Sequence, residues 1–490
     1  TKEPWLGTRI LNLESLASHG NVRGRKALLE VLEAGLQAGD PYQNTRKLLR
    51  VENGKLIVGN RDFEPAGSPK TGDEVYDLTQ VGRIYVFGAG KGVQRVAKAI
   101  EDVLGDRLTG GHVIGKHGDE IILEKIGVTL GGHPVPDEGC VRGCQSILQM
   151  CRGLRKEDLV ITVAANGVSS LLTLPAPGVS LEDVRQVTYM MQIERGVPTG
   201  DLNPVRNHLD LMKGGRLSRY IQPARAIHII VFDPGEHDLL MRRNLWLHNL
   251  PDCTTFQDAV AMLKKWDAWD EAPPAVRAHL LKADPQMETV KAEAFEKTDY
   301  RIFGVMPNRL GVVPSAQRKA QELGFRPYKL ASALQAEAAQ AGSVIASIAL
   351  TVEREGVPFE PPCALFTSGE VVVTVGKQDG VGGRNQEYAL AAALRIAGSK
   401  NIVVGAVDTD GTDGPGGYFA SDAGGIRCLA GGIVDGETVA EARAAGVDLV
   451  AELKRHNTSA PLWKLESGIA ATQNISLGDL GVTLILGRRE

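Results

Sequence analysis

Apolar runs of strand length that end in a small or acidic turn and then feed a helix recur down this chain. RIYVFGAGKG (83–92) leads into an amphipathic stretch ending at Leu104, and DLVITVA (158–164) breaks into a small-residue loop. AIHIIVF (226–232) stops at Asp233-Pro234-Gly235, and NIVVGAV (401–407) opens into an acidic turn. Runs this short and this apolar suit strands covered on both faces, with the intervening helices as crossovers of a largely parallel sheet. The reading is α/β, and in such sheets ligands bind beyond the carboxyl ends of the strands.

The same patterning predicts a helix over 22–38, a hairpin over 51–58, short strands at 110–116 and 126–132, and helices following 133, 181 and 204. A charge-rich helical stretch (254–298) separates this from a second α/β block. That block contains YRIFGVM (300–306), a long helix at 333–354, CALFTSG, VVVTVGK, a helix at 385–397 and a closing strand GVTLILG. A length of 490 residues accommodates two such domains. The boundary is placed near 298, giving a Rossmann-like N-terminal domain (1–297) and a second α/β domain (298–490).

Composition narrows the class. Net charge is −4 and aromatics are 5%, which argues against a nucleic-acid surface or a polybasic membrane face. No apolar run approaches the roughly 20 residues a bilayer span needs. The segment TKEPWLGTRI has no leader pattern, so a cytoplasmic location is expected. Six cysteines at irregular spacing match neither a disulfide framework nor a zinc pattern and are read as buried free thiols. Glycine, at 57 residues, exceeds the usual share of about 7% and clusters where backbone must turn or approach a ligand.

Five segments can carry chemistry. Gly88-Ala-Gly90-Lys91-Gly92 lacks the third glycine of a dinucleotide fingerprint and the spacing of a Walker loop. It still offers a helix N-terminus and a lysine to an anion. Gly382-Gly-Arg384-Asn385-Gln386-Glu387 brings a guanidinium suited to bidentate carboxylate or phosphate binding to a helix entry. Asp408-Thr-Asp410-Gly-Thr-Asp413 offers three carboxylates to Mg²⁺ or Ca²⁺, although Asp-Gly and Gly-Pro are also ordinary turn formers. Arg206, His208 and Lys213 share one expected helix (204–220) and its exit, and Asp233 stands where a catalytic acid or base would sit at a strand end.

FGAGKG, GGHPVPDEG, VRNHLDLMKGGRL, GGRNQEYALA and DTDGTDGP occur in the order found in the glycerate 2-kinase family with a C-terminal MOFRL module, and the chain resembles that family over nearly its whole length. Some members carry the name hydroxypyruvate reductase. The resemblance implies two α/β domains with the active site in the cleft between them. It also implies ATP- and Mg²⁺-dependent phosphorylation of the 2-hydroxyl of D-glycerate, or of a related small anionic hydroxy acid or sugar acid. No nucleic acid or membrane partner is implied, and a homodimer is one assembly open to it.

By the same resemblance Lys91, Arg384 and Asp233 are catalytic, and Arg206, His208, Asn385, Glu387 and Asp410 contact substrate. Gly90, Asn166, Gly167, Ser169 and Ser170 contact the nucleotide, and Asp410 and Asp413 hold the metal. The chain also departs from the family. A Ser-Gly-Gly-Gly-Ser-Ala loop becomes Ala164-Ala165-Asn166-Gly167-Val168-Ser169-Ser170, Arg-Lys-His becomes Arg206-Asn207-His208, and a glycine becomes Asp408. These changes fall on elements expected to meet polyphosphate. They leave open two alternatives: an enzyme acting on a hydroxy acid or sugar acid by acid/base chemistry without ATP, and a metabolite sensor without catalysis.

Overall fold

The computed structural model describes residues 7–307 and 310–489. It divides into two compact units: Pro41–Pro307, and a discontinuous unit of Thr1–Asp40 with Asn308–Glu490. The expected division at 298 therefore changes in two respects. The first forty residues belong with the C-terminal unit, and Tyr300–Gly304 completes the sheet of the other one.

Packing explains the first change. Helix α1 (Val22–Ala38) buries Leu28, Leu29, Val31, Leu32 and Leu36, an apolar stripe at helical spacing. The stripe joins a core with Val403, Val407, Leu480, Val482 and Leu484. Gly405 makes the approach possible, since a Cβ there would lie 2.4 Å from Leu28. The buried Arg25 guanidinium meets Asp435 at 2.6 Å and ties the helix to the sheet.

In the unit 41–307 six strands are all parallel: β1 (Ile84–Ala89), β2 (Gly110–Lys116), β3 (Gly127–Gly131), β4 (Leu159–Ala164), β5 (Arg225–Ile230) and β6 (Tyr300–Gly304). Their order is β3-β2-β1-β4-β5-β6. That is the doubly wound dinucleotide-fold order, reversing between β1 and β4. Helix α2 (Val93–Leu104) follows β1, and helix α3 (Glu138–Cys151) packs Cys140, Cys144, Ile147 and Cys151 under Phe87, Ala89 and Ile114. Four of the six thiols are buried, as expected, but Cys253 is exposed and Cys428 half-buried.

The helix expected at 204–220 is two helices, α4 (Thr199–His208) and Arg216–Tyr220. They are separated by a turn whose Gly214 and Gly215 sit at φ +65° and +76°. Helix α4 belongs to a small helical subcore with Val184, Met191, Phe256 and Leu263.

The other unit contains β7 (Arg326–Leu334), β8 (Cys363–Gly369), β9 (Ile402–Asp408), β10 (Gly431–Asp435), β11 (Gly468–Ile469) and β12 (Asp479–Ile485), in the order β7-β8-β12-β9-β10-β11. Only β7 and β8 run parallel. Strand β9 alternates faces: Val403 and Val407 meet α1, while Ile402, Val404 and Ala406 meet α5 (Ala338–Glu355) and α6 (Arg384–Ile396). VVVTVGK (371–377) is not a strand. The chain turns at Gly369 (φ +137°), and only Val372 bridges to Glu337. Toward the C-terminus the chain forms two short helices, Thr438–Ala444 and Leu449–Lys454.

Candidate active site

At the reversal point of the parallel sheet the turns after β1 and β4 are stitched together. The Lys91 amide donates to the Asn166 carbonyl at 2.7 Å, and the Ala165 amide donates to the Ala89 carbonyl at 3.1 Å. Gly90 (φ +133°) has no room for a side chain, since its Cβ would stand 2.6 Å from the Ala165 carbonyl. Gly167 (φ +85°) lies under two side chains: a Cβ there would be 3.2 Å from His133 Nε2 and 3.4 Å from Lys91 Cγ. Lys91, His133 and Gly167 thus converge where the topology predicts a ligand.

The charges that act on His133 are all positive. Burial, and then the charges of Lys91, Lys116 and Arg206, push the His133 imidazole down to about 4, so it is neutral at pH 7. Arg206 is buried, and its Nε and Nη2 share only the Asn203 amide oxygen, at 3.0 and 2.5 Å. Burial pulls its pKa down to about 10. Among the described residues no carboxylate pairs with Arg206. A buried guanidinium without a counter-charge is costly unless an anion supplies one.

The loop after β4 contributes Ser169, whose Oγ lies 2.8 Å from His248 Nε2. Ser170 turns inward and donates to the Gly132 carbonyl at 2.8 Å, holding the loop rather than a ligand. Asp233, beyond the end of β5, is half-buried and accepts the Gly235 amide at 2.7 Å.

His208 is a correction. Its Nδ1 meets the Pro204 carbonyl at 2.7 Å and its Nε2 meets Glu288 at 2.6 Å, so both nitrogens are engaged inside the subcore. Lys213 is likewise committed, to Asp210 at 2.9 Å and Thr173 at 2.7 Å.

In the other unit the residues singled out by sequence form a structural knot. Arg384 donates to Asp408 at 2.6 Å and to Asp479 at 2.8 Å, with Glu370 at 3.9 Å. Asn385 spans Asp413 and Asp479 at 3.0 and 2.8 Å. Glu387 is buried against His456 at 2.5 Å. Asp413 is wholly buried and accepts the amides of Asn385 and Gln386, each at 3.0 Å, at the N-terminus of α6. A carboxylate there satisfies orphan N–H groups and the helix dipole.

The metal assignment of Asp410 and Asp413 therefore does not fit. The oxygens of Asp413 are used, Asp410 Oδ1 accepts the Thr412 amide and hydroxyl at 2.7 and 2.9 Å, and no group of three ligating side chains capable of holding a metal occurs among the described residues. Burial raises Asp413 to about 6. Burial and Asp410 raise Asp408 to about 8, against the pull of Arg384.

Three residues at the reversal point escaped the sequence reading: Lys116, His133 and His248. His133 lay inside a quoted motif, GGHPVPDEG. Lys116 and His248 carry no local signal, because strand pairing and a distant turn bring them to the site.

A family model described as a domain of unknown function (DUF4147) matches residues 27–281, and the MOFRL family model matches 363–474. The chain is 34% identical to glycerate 2-kinase of Pyrococcus horikoshii over 90% of its length and 92% of the relative's. It is 33% identical to D-glycerate 2-kinase of Thermotoga maritima over 88% of its length and 97% of that protein's. A crystal structure of glycerate kinase from Thermotoga maritima superposes with a TM-score of 0.74 at 29% identity, covering 94% of this chain and 99% of that one.

Proposed function

This chain belongs to the glycerate 2-kinase family, a family of phosphotransferases, and from that premise we propose that it transfers the γ-phosphoryl group of ATP to the 2-hydroxyl of D-glycerate or a closely related small hydroxy acid. The observation that carries the proposal is the buried Arg206 guanidinium, which meets only the Asn203 amide oxygen and no carboxylate among the described residues, and whose charge, with those of Lys91 and Lys116, acts on the neutral His133 ring at the β1/β4 reversal. A carboxylate substrate and a phosphoryl group in flight both present oxygens that such cations stabilise.

In this reading Arg206 and Lys91 hold substrate carboxylate and transferring phosphoryl oxygens, and Gly90, Asn166 and Gly167 shape the backbone beneath them. Asp233 orients the attacking hydroxyl from the neighbouring strand end. Mg²⁺ accompanies ATP by family expectation, but Asp410 and Asp413, engaged in their own turn and in capping α6, do not fit it. The test is ADP release with D-glycerate, together with calorimetric titration of Mg·ATP. Lys91→Ala is expected to lower kcat/KM by at least about 100-fold. Absence of both nucleotide binding at millimolar concentration and ADP formation would remove the kinase reading.

A second reading has its own support. Asp408 and Asp479 already accept the N–H groups of Arg384, so the family's arginine is less available to polyphosphate. An acid/base enzyme acting on a hydroxy acid without ATP would turn over its substrate in nucleotide-free buffer, which a kinase would not.

A further inference from the structure

We propose that His248 is a positioning residue that commits the Ser169 hydroxyl to donate a hydrogen bond to an anionic oxygen of the ligand. The inference deepens the phosphoryl-transfer reading and rests on it. His248 is buried, and the backbone amide of Gly214 donates to its Nδ1 at 3.3 Å. An amide N–H has only a proton to give, so Nδ1 is the accepting nitrogen. The proton of the neutral ring then sits on Nε2, which faces Ser169 Oγ at 2.8 Å.

The ring stays neutral because burial, and then Lys213, Arg206 and Arg216, oppose a further positive charge. Ser169 Oγ therefore accepts from His248, and its own proton must go elsewhere. Among the described residues the hydroxyl has no further partner. Ser169 lies two residues beyond Gly167, the residue covered by Lys91 and His133, so the hydroxyl belongs to the loop at the cationic end of the sheet. The reverse polarity, with Ser169 donating to the imidazole, would make a base-activated nucleophile. The Gly214 amide argues against it.

The turn that supplies Gly214 also fixes the ring's backbone, because the Gly215 amide donates to the His248 carbonyl at 3.1 Å. Glutamine at 248 reproduces both polarities: its carbonyl accepts from Gly214 and its amide donates to Ser169. Leucine at 248 reproduces only the volume.

The experiment uses the full chain with ¹⁵N-labelled histidine. The ring-nitrogen resonances of His248, assigned by their loss in His248→Gln, are expected to show a neutral Nε2–H tautomer between pH 6 and 8. An Nδ1–H tautomer or a charged ring would overturn the proposal. In ADP-release kinetics, His248→Leu is expected to raise KM for the hydroxy acid or for Mg·ATP about tenfold with kcat changed less than about threefold, and Ser169→Ala is expected to raise the same KM to the same extent. The double variant should be no worse than either, and His248→Gln should stay near wild type. Additive losses, or a leucine variant indistinguishable from wild type, would refute it. Should the wild-type chain release no ADP, the kinase reading falls on its own. Calorimetric titration with inorganic phosphate then decides this proposal through the same variants. Binding weakened alike by His248→Leu and Ser169→Ala supports it, and no phosphate binding by wild type ends it.

Discussion

Arg206 keeps a charge that no carboxylate among the described residues answers, and that is a stability cost held for a ligand. Arg206→Met is expected to abolish binding of glycerate and phosphate while raising the melting temperature of the unit 41–307. About 1 kcal/mol would correspond to roughly 2–4 °C for a unit of this size. Scanning calorimetry beside ligand titration checks both, and a lower melting temperature would count against the uncompensated charge. The sequence exposed Arg206 as a candidate and mistook His208 for its companion. Two positions apart on α4, the side chains leave the helix on different sides, so they cannot share one small ligand.

Asp408 shows the opposite situation, a carboxyl kept from ionising. It stays protonated to about pH 8 in the fold, against about pH 4 in an unfolded chain. The folded state thus holds an extra proton between these values, and stability falls as pH rises through that window. Asp413, raised to about 6, adds the same sign over the lower part. In urea titrations at pH 5 and pH 8, Asp408→Asn should flatten the decline seen in wild type; an unchanged pH slope would contradict this.

At the scale of elements, most of the fold was legible because the strands are short apolar runs and the helices carry apolar stripes. Strand β1, helix α2, helix α1 and the hairpin lie close to where hydrophobic period and glycine turns put them. What stayed hidden depends on partners distant in sequence. An acidic turn such as 408–413 has the composition of a cation loop, and only the folded chain reveals that Asp413 caps a helix beginning at Arg384. Gly383 belongs to the same knot, since a Cβ there would be 2.0 Å from the Asp413 carbonyl. Asp413→Ala should cost about 2–4 kcal/mol, combining a lost cap with buried donors left unmet. Equilibrium urea unfolding measures it, and a change under about 0.5 kcal/mol would show that the knot is not structural.

At the scale of the whole molecule, the N-terminal segment is part of the second unit's core and not a prelude to the first. Expressed alone, 41–307 should unfold cooperatively, because its six-stranded sheet and helical subcore are complete within it. A fragment of 308–490 should be insoluble or molten unless residues 1–40 are supplied, and a purified 1–40 peptide should restore cooperative unfolding. Calorimetry of the three preparations tests this, and a cooperative melt of 308–490 alone would refute it. Sequence reading missed the arrangement because an amphipathic helix announces that it needs a covering surface, not which surface.

During synthesis this arrangement imposes a wait. Helix α1 leaves the ribosome before the sheet it must cover exists. The intervening stretch, Pro41–Pro307, takes roughly 15–50 s to translate at about 5–20 residues/s. Through that interval Leu28, Leu32 and Leu36 have no sheet to cover. A nascent chain of this family is therefore expected to be most exposed to chaperone capture at its beginning, and to be released only when its end arrives.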